Sequence, residues 1–198
     1  MSFASFIDQF DSTPPQKLQG YFSSMFEDMS DAERAQAKEM MLTRGIQGDA
    51  TDIDGLRFVA GTEIVPILLE HRPRLARHSF STNASSIELL WILTKDQSYL
   101  LTLLHEISET DYTMERELLA NVLSRQTIPS DMNDQLIDLI SNGENEDIIV
   151  QLLKSWLSIR FGAFDSIKKF QNFLPFIRSV VTENPARRSE LLKHYRHT

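Results

Sequence analysis

The chain contains no cysteine. Disulfides, thiolate metal sites and a cysteine nucleophile are thereby excluded, and a reducing compartment fits. No uninterrupted apolar run approaches the roughly 18–20 residues needed to cross a bilayer. The opening Met1-Ser-Phe-Ala-Ser-Phe-Ile-Asp8 lacks the basic start and long apolar run of a secretory signal. A soluble, cytoplasmic protein with no membrane partner is therefore expected. No stretch alternates apolar and polar residues as a half-buried strand does. No histidine is followed by aspartate, and there is no glycine-rich phosphate loop and no nucleophile elbow. No catalytic residue, metal site or cofactor is predicted.

What is present is apolar periodicity and an uneven distribution of charge. With 198 residues, 41% of them apolar, the chain can bury a core, and one domain is the default expectation. The net charge of −8 opposes general nucleic-acid binding, which favours a basic excess. Residues 1–70 hold 5 basic and 12 acidic groups, a balance of −7, and residues 71–105 hold 4 and 2, or +2. Residues 106–147 hold 2 and 11, or −9, and residues 148–198 hold 9 and 3, or +6. An acidic middle is thus followed by a basic tail.

Residues 1–15 read as a short helical turn and a loop ending at Thr13-Pro14-Pro15. A helix is predicted from Gln16 to about Glu27, burying Leu18, Tyr21, Phe22, Met25 and Phe26. Ser30-Asp-Ala-Glu33 has the spacing of a capping box and opens a helix to about Arg44. From Asp52 to His71 two short helices meet at an Ala60-Gly61-Thr62 turn. Ile53 and Leu56 form the buried face of the first; Ile64, Val65, Leu68 and Leu69 form that of the second. Neither is long enough to stand alone in water, so each must lean on neighbours. Arg72-Pro73 is expected to end this hairpin, and serine-rich residues 73–84 to form a long loop. A second capping-box spacing, Ser85-Ser-Ile-Glu88, then opens a helix with Ile87, Leu90, Trp91 and Leu93. After a break at Lys95-Asp96 come Tyr99, Leu100, Leu103, Leu104 and Ile107. The apolar positions of the hairpin recur here at an offset of 34 residues before the turn and 35 after it. Further helices are predicted over Met114–Arg125, Ser130–Asn142 and from Asn145 to about Phe161. The last two run from about Phe164 to Thr182, kinked or split at Pro175, and from Asn184-Pro185 to about Arg196.

Paired antiparallel helices with a period in the mid-thirties point to a stack of helix pairs. Asp52–Leu69, with its Gly61 turn and Ile64-Val65-Pro66 step, resembles bacterial HEAT-like repeats, and residues 85–107 resemble a looser copy. The resemblance covers a third to half of the chain. It implies an all-α fold of one domain, either a HEAT-like α-solenoid or an irregular helical bundle. Residues 1–15 would lead in, residues 16–144 would form repeat-like pairs, and residues 145–198 would form longer helices.

Several constellations are weighed against plainer roles. His105-Glu106-Ile-Ser-Glu109 falls one histidine short of the zinc-protease helix motif and reads more simply as a solvated helix end. Asp52, Asp54 and Gly55 echo a calcium loop, but its first and last ligand positions would be Ala50 and Gly61. Asp52 reads instead as a helix cap. His71, Arg72, Arg74, Arg77 and His78 could hold an anion, or simply solvate a loop. Phe161, Phe164, Phe170, Phe173 and Phe176 fit a terminal core better than a docking face, and Trp91 and Trp156 also read as core. Arg187, Arg188, Lys193 and Arg196 form a basic tail whose plainer role is a solvated helix face.

The acidic middle is the strongest functional signal. Asp131, Asp134 and Asp138 share one helical face with no basic residue at matching spacing. Together with Glu106, Glu109, Asp111 and Glu144 they form the expected partner-binding surface, which would speed encounter with a basic ligand by steering. Size, acidity and the lack of catalytic motifs are similar to those of bacterial immunity proteins, many of which mask basic nuclease toxins. The expectation is a non-catalytic inhibitor of a basic protein, with a generic adaptor or scaffold as its neighbour. The alternative from another class is an enzyme resembling HEAT-like alkylpurine DNA glycosylases. It would require a basic concave groove and aromatic residues facing DNA, for which Trp91, Trp156 and the basic tail are the candidates.

Overall fold

The computed structural model describes residues 3–13, 16–110, 113–124, 126, 130–162 and 167–195, and of Leu18, Ser124, Ser130 and Asp131 the backbone alone. Among the described residues there are eleven α-helices and no strand, so the fold is all-α. No helix among them is long and apolar enough to cross a membrane. The chain divides into two compact units, Met1–Tyr99 and Leu100–Thr198.

The first unit contains α1 (Phe3–Phe10), α2 (Asp31–Ile46), α3 (Ala50–Gly55), α4 (Val65–His78) and α5 (Phe80–Thr94). Ser30 opens α2 with a capping box: its hydroxyl accepts from the Glu33 N–H, and the Glu33 carboxylate accepts from the Ser30 N–H at 2.8 Å. Asp49, not Asp52, caps α3, by accepting from the Asp52 N–H. Phe6, Phe26, Met41, Ile53, Leu56, Leu68, Leu75, Leu89 and Leu90 form one apolar cluster under these helices. The predicted helix over 16–27 is instead two 3-10 turns, Lys17–Gln19 and Ser23–Met25, separated at Gly20, whose φ of +74° interrupts a helical path. The break points Tyr21, Met25 and Phe26 inward and leaves Phe22 53% exposed.

The predicted loop over 73–84 is helical. Pro73 lies inside α4 on its exposed side, as does Leu69, so the carbonyl left unpaired by the missing proline N–H faces solvent. The same geometry leaves Leu69, expected in the core, 45% exposed. Ser79, rather than Ser85, is the cap of α5, with Thr82 as its partner. Thr82, Asn83, Ser86 and Glu88 are all buried on this helix. Burial is tolerated because each finds a partner: the Thr82 hydroxyl donates to Leu75 O (2.8 Å) and that of Ser86 to Asn83 O (2.8 Å). Asn83 Oδ1 accepts from Arg72 Nη1 (2.8 Å), and the Glu88 carboxylate from Arg57 Nη2 (3.2 Å).

Helix α6 (Ser98–Glu109) contains the boundary between the units. The second copy of the sequence echo is therefore divided, with Ile87 and Leu90 in the first unit and Leu100, Leu103 and Leu104 in the second. The second unit continues with α7 (Thr113–Ser124), α8 (Ser130–Asn142), α9 (Glu146–Phe161), α10 (Ile167–Thr182) and α11 (Pro185–His194). Helix α9 packs on α7, α8 and α10, and α11 packs on α8 and α10. Asn145 caps α9, accepting from the N–H groups of Asp147 (2.9 Å) and Ile148 (3.4 Å), and Asn184 caps α11 with Pro185 at the first helical position. Pro175 lies within a continuous α10, again on the exposed side. Phe161, Phe173, Phe176, Trp156 and Tyr195 form an aromatic cluster, with Phe176 and Tyr195 stacked at 3.7 Å between centroids. Phe164 lies outside the described residues.

Candidate functional site

Two polar sites stand out, one in each unit, and they differ in how their charges are satisfied. In the first unit Asp52 is fully buried. It accepts from the Tyr21 hydroxyl (2.5 Å), from Arg44 Nε (2.6 Å) and from Arg44 Nη2 (3.2 Å), and Lys17 Nζ stands 3.5 Å away. Arg44 also donates to Phe10 O (2.7 Å) and lies over the Phe10 ring, while Lys17 pairs with Asp49. Burial, reinforced by the bond to Asp52, pushes the Tyr21 phenol far above its ordinary range. Every charge here is met, and the cluster ties α1, α2 and α3 together. The sequence could not reveal this, because Asp52 has the spacing of an ordinary cap.

In the second unit three exposed carboxylates have no ion-pair partner among the described residues. Helix α8 buries Met132, Leu136, Ile137 and Ile140 and exposes Asp134, Gln135, Asp138 and Asn142, as its 3–4 spacing requires. Glu144 follows on the exposed connection to α9. No salt bridge among the described residues involves Asp134, Asp138 or Glu144. The two arginines of the adjoining α11 are engaged elsewhere. Arg187 pairs with Glu190 at 2.5 Å, and Arg188 donates to Gly143 O (2.7 Å), Val180 O (3.2 Å) and Val181 O (3.1 Å). Arg188 therefore closes the carbonyl ends of α8 and α10 rather than forming part of a solvated basic face.

Of the expected binding residues, Asp138 and Glu144 come together at one cavity of about 820 Å³. Leu101, Leu104, Leu139, Ile148 and Leu152 give it apolar walls, and His105 and Arg116 also line it. Asp134 is exposed on the same helix outside the cavity, Glu109 ends α6 exposed, and Glu106 is half-buried on α6. Asp111 and the side chain of Asp131 lie outside the described residues. Sequence reasoning missed Arg116, a base within an acidic stretch. It keeps only 4% of its surface exposed and gives Nη2 to Thr110 O. Its Nε has no hydrogen-bond partner.

The remaining constellations disperse. Among the described residues no three His, Asp or Glu side chains gather in a way that would hold a metal ion. His78 packs against Gly48, whose φ of +116° and lack of a side chain admit the imidazole; a Cβ there would lie 2.2 Å from Nε2. Arg77 Nε donates to Pro73 O (2.9 Å), so Arg72, Arg77 and His78 each make structural contacts on the last turns of α4. Trp91 and Trp156 are buried, and Trp156 Nε1 donates to Asn133 Oδ1 (2.9 Å). No protein-family model, no curated protein and no solved structure matches the chain.

Proposed function

We propose that this protein is a non-catalytic binding module of the immunity or inhibitor type, which neutralises a basic protein partner through the acidic face of α8 and the α8–α9 connection. The observation that supports this reading is the unpaired state of Asp134, Asp138 and Glu144 beside a helix whose own arginines are committed elsewhere. Like charges on one helical face cost some stability and gain nothing internally. A basic partner would neutralise them, and their field would speed its approach.

The test is a tagged pull-down from the native cell at low and at high salt, followed by measurement of the purified pair. A single basic protein at equal stoichiometry, released by salt, is expected. Reversing Asp134, Asp138 and Glu144 together to lysine should slow association at least tenfold, on the order seen when steering charges are lost, with the helical content unchanged. Unchanged affinity in that variant would sink the acidic-surface role. Salt-sensitive capture of DNA in place of a protein would redirect attention to a glycosylase-like activity.

A further inference from the structure

No further inference is drawn: the strongest candidate, the cavity of about 460 Å³ between α10 and α11 lined by the stacked rings of Phe176 and Tyr195, has rim charges, Arg187 and Glu190, that pair with each other, and nothing in the structure shows what covers it.

Discussion

Replacing Asp52 with alanine is the sharpest test of how the first unit is held together. Asp52 has no exposed surface and is the common acceptor for Tyr21 and Arg44, with Lys17 at 3.5 Å. Without it the Tyr21 hydroxyl is buried without its acceptor, and Arg44 faces Lys17 with only Asp49 left between them. Removing one member of a buried pair costs about 3–5 kcal/mol, because the charge left behind has lost its solvent and its partner. Arg44 and Lys17 retain 29% and 14% side-chain exposure, and water reaching them places the expected loss near the lower end, about 3 kcal/mol. That is a large fraction of the roughly 5–15 kcal/mol that stabilises a domain. In urea, with an m-value of about 2 kcal/mol/M, the midpoint should fall by about 1.5 M. Hydrogen exchange should locate the loosening in peptides from residues 3–99. The triple variant Asp52→Leu, Arg44→Met, Tyr21→Phe should recover most of the loss, since an apolar replacement of a whole buried cluster leaves nothing unmet. A loss below about 1 kcal/mol for Asp52→Ala, the size expected of a surface pair, would refute the account.

Two further outcomes follow from contacts at the surface. The bond from Lys38 Nζ (2.8 Å), followed by the N–H groups of Glu63 itself and of Gly61, holds the Glu63 carboxyl at about 2, below its ordinary 4.5. A depressed carboxyl stabilises the fold above its unfolded value, and the contribution is lost as pH falls from about 4.5 toward 2. Because Glu63 is 53% exposed, the amount should stay under about 1 kcal/mol. The stability difference between the native chain and Lys38→Met, measured by urea at pH 6, 4 and 2.5, should shrink across that window; a difference independent of pH would contradict it. Arg188→Met removes three bonds to helix-end carbonyls and should cost about 2–3 kcal/mol, with Arg188→Lys restoring less than half because an ammonium cannot fork as a guanidinium does. A thermal midpoint unmoved by Arg188→Met would assign the residue back to a solvated face.

Three helix caps were legible in the sequence because they are local, while Asp52 and Ser85 were misread where Asp49 and Ser79 take the role. Ser30 with Glu33, Asn145 and Asn184 with Pro185 all act within four residues of themselves, and each does what its spacing predicts. Core faces were legible where apolar spacing was regular, as for Ile53, Leu56, Leu100 and Leu103. The misread segments are those where a tertiary partner reverses a local preference. Serine, threonine and asparagine over 79–86 favour loops in isolation, but in α5 they bond to Leu75 and Arg72 and to their own helix. The apolar run Leu18–Phe26 has helical spacing, yet the left-handed Gly20 divides it. Within the candidate site, the exposed carboxylates of α8 could be placed on one face from periodicity alone. The cavity could not, since Arg116, Asp138 and Leu101 lie on three helices whose meeting no spacing encodes.

The contrast between the two units bears on why the acidic stretch exists at all. In the first unit five carboxylates, the buried Asp52 and Glu88 among them, meet a base: Asp49 and Asp52 with Lys17 and Arg44, Asp54 and Glu88 with Arg57, and Glu63 with Lys38. In the second, 11 basic and 14 acidic groups would have allowed similar matching. Yet Arg188 is spent on carbonyls, Arg116 is buried beside a cavity, and Asp134, Asp138 and Glu144 face water without a base. A chain under selection for stability alone gains by moving a lysine three or four positions from Asp138, a change open to exposed Gln135 or Asn142 on the same helix. Keeping those positions neutral preserves a field that serves nothing inside the fold. Such a pattern is accounted for when the missing base arrives on another molecule.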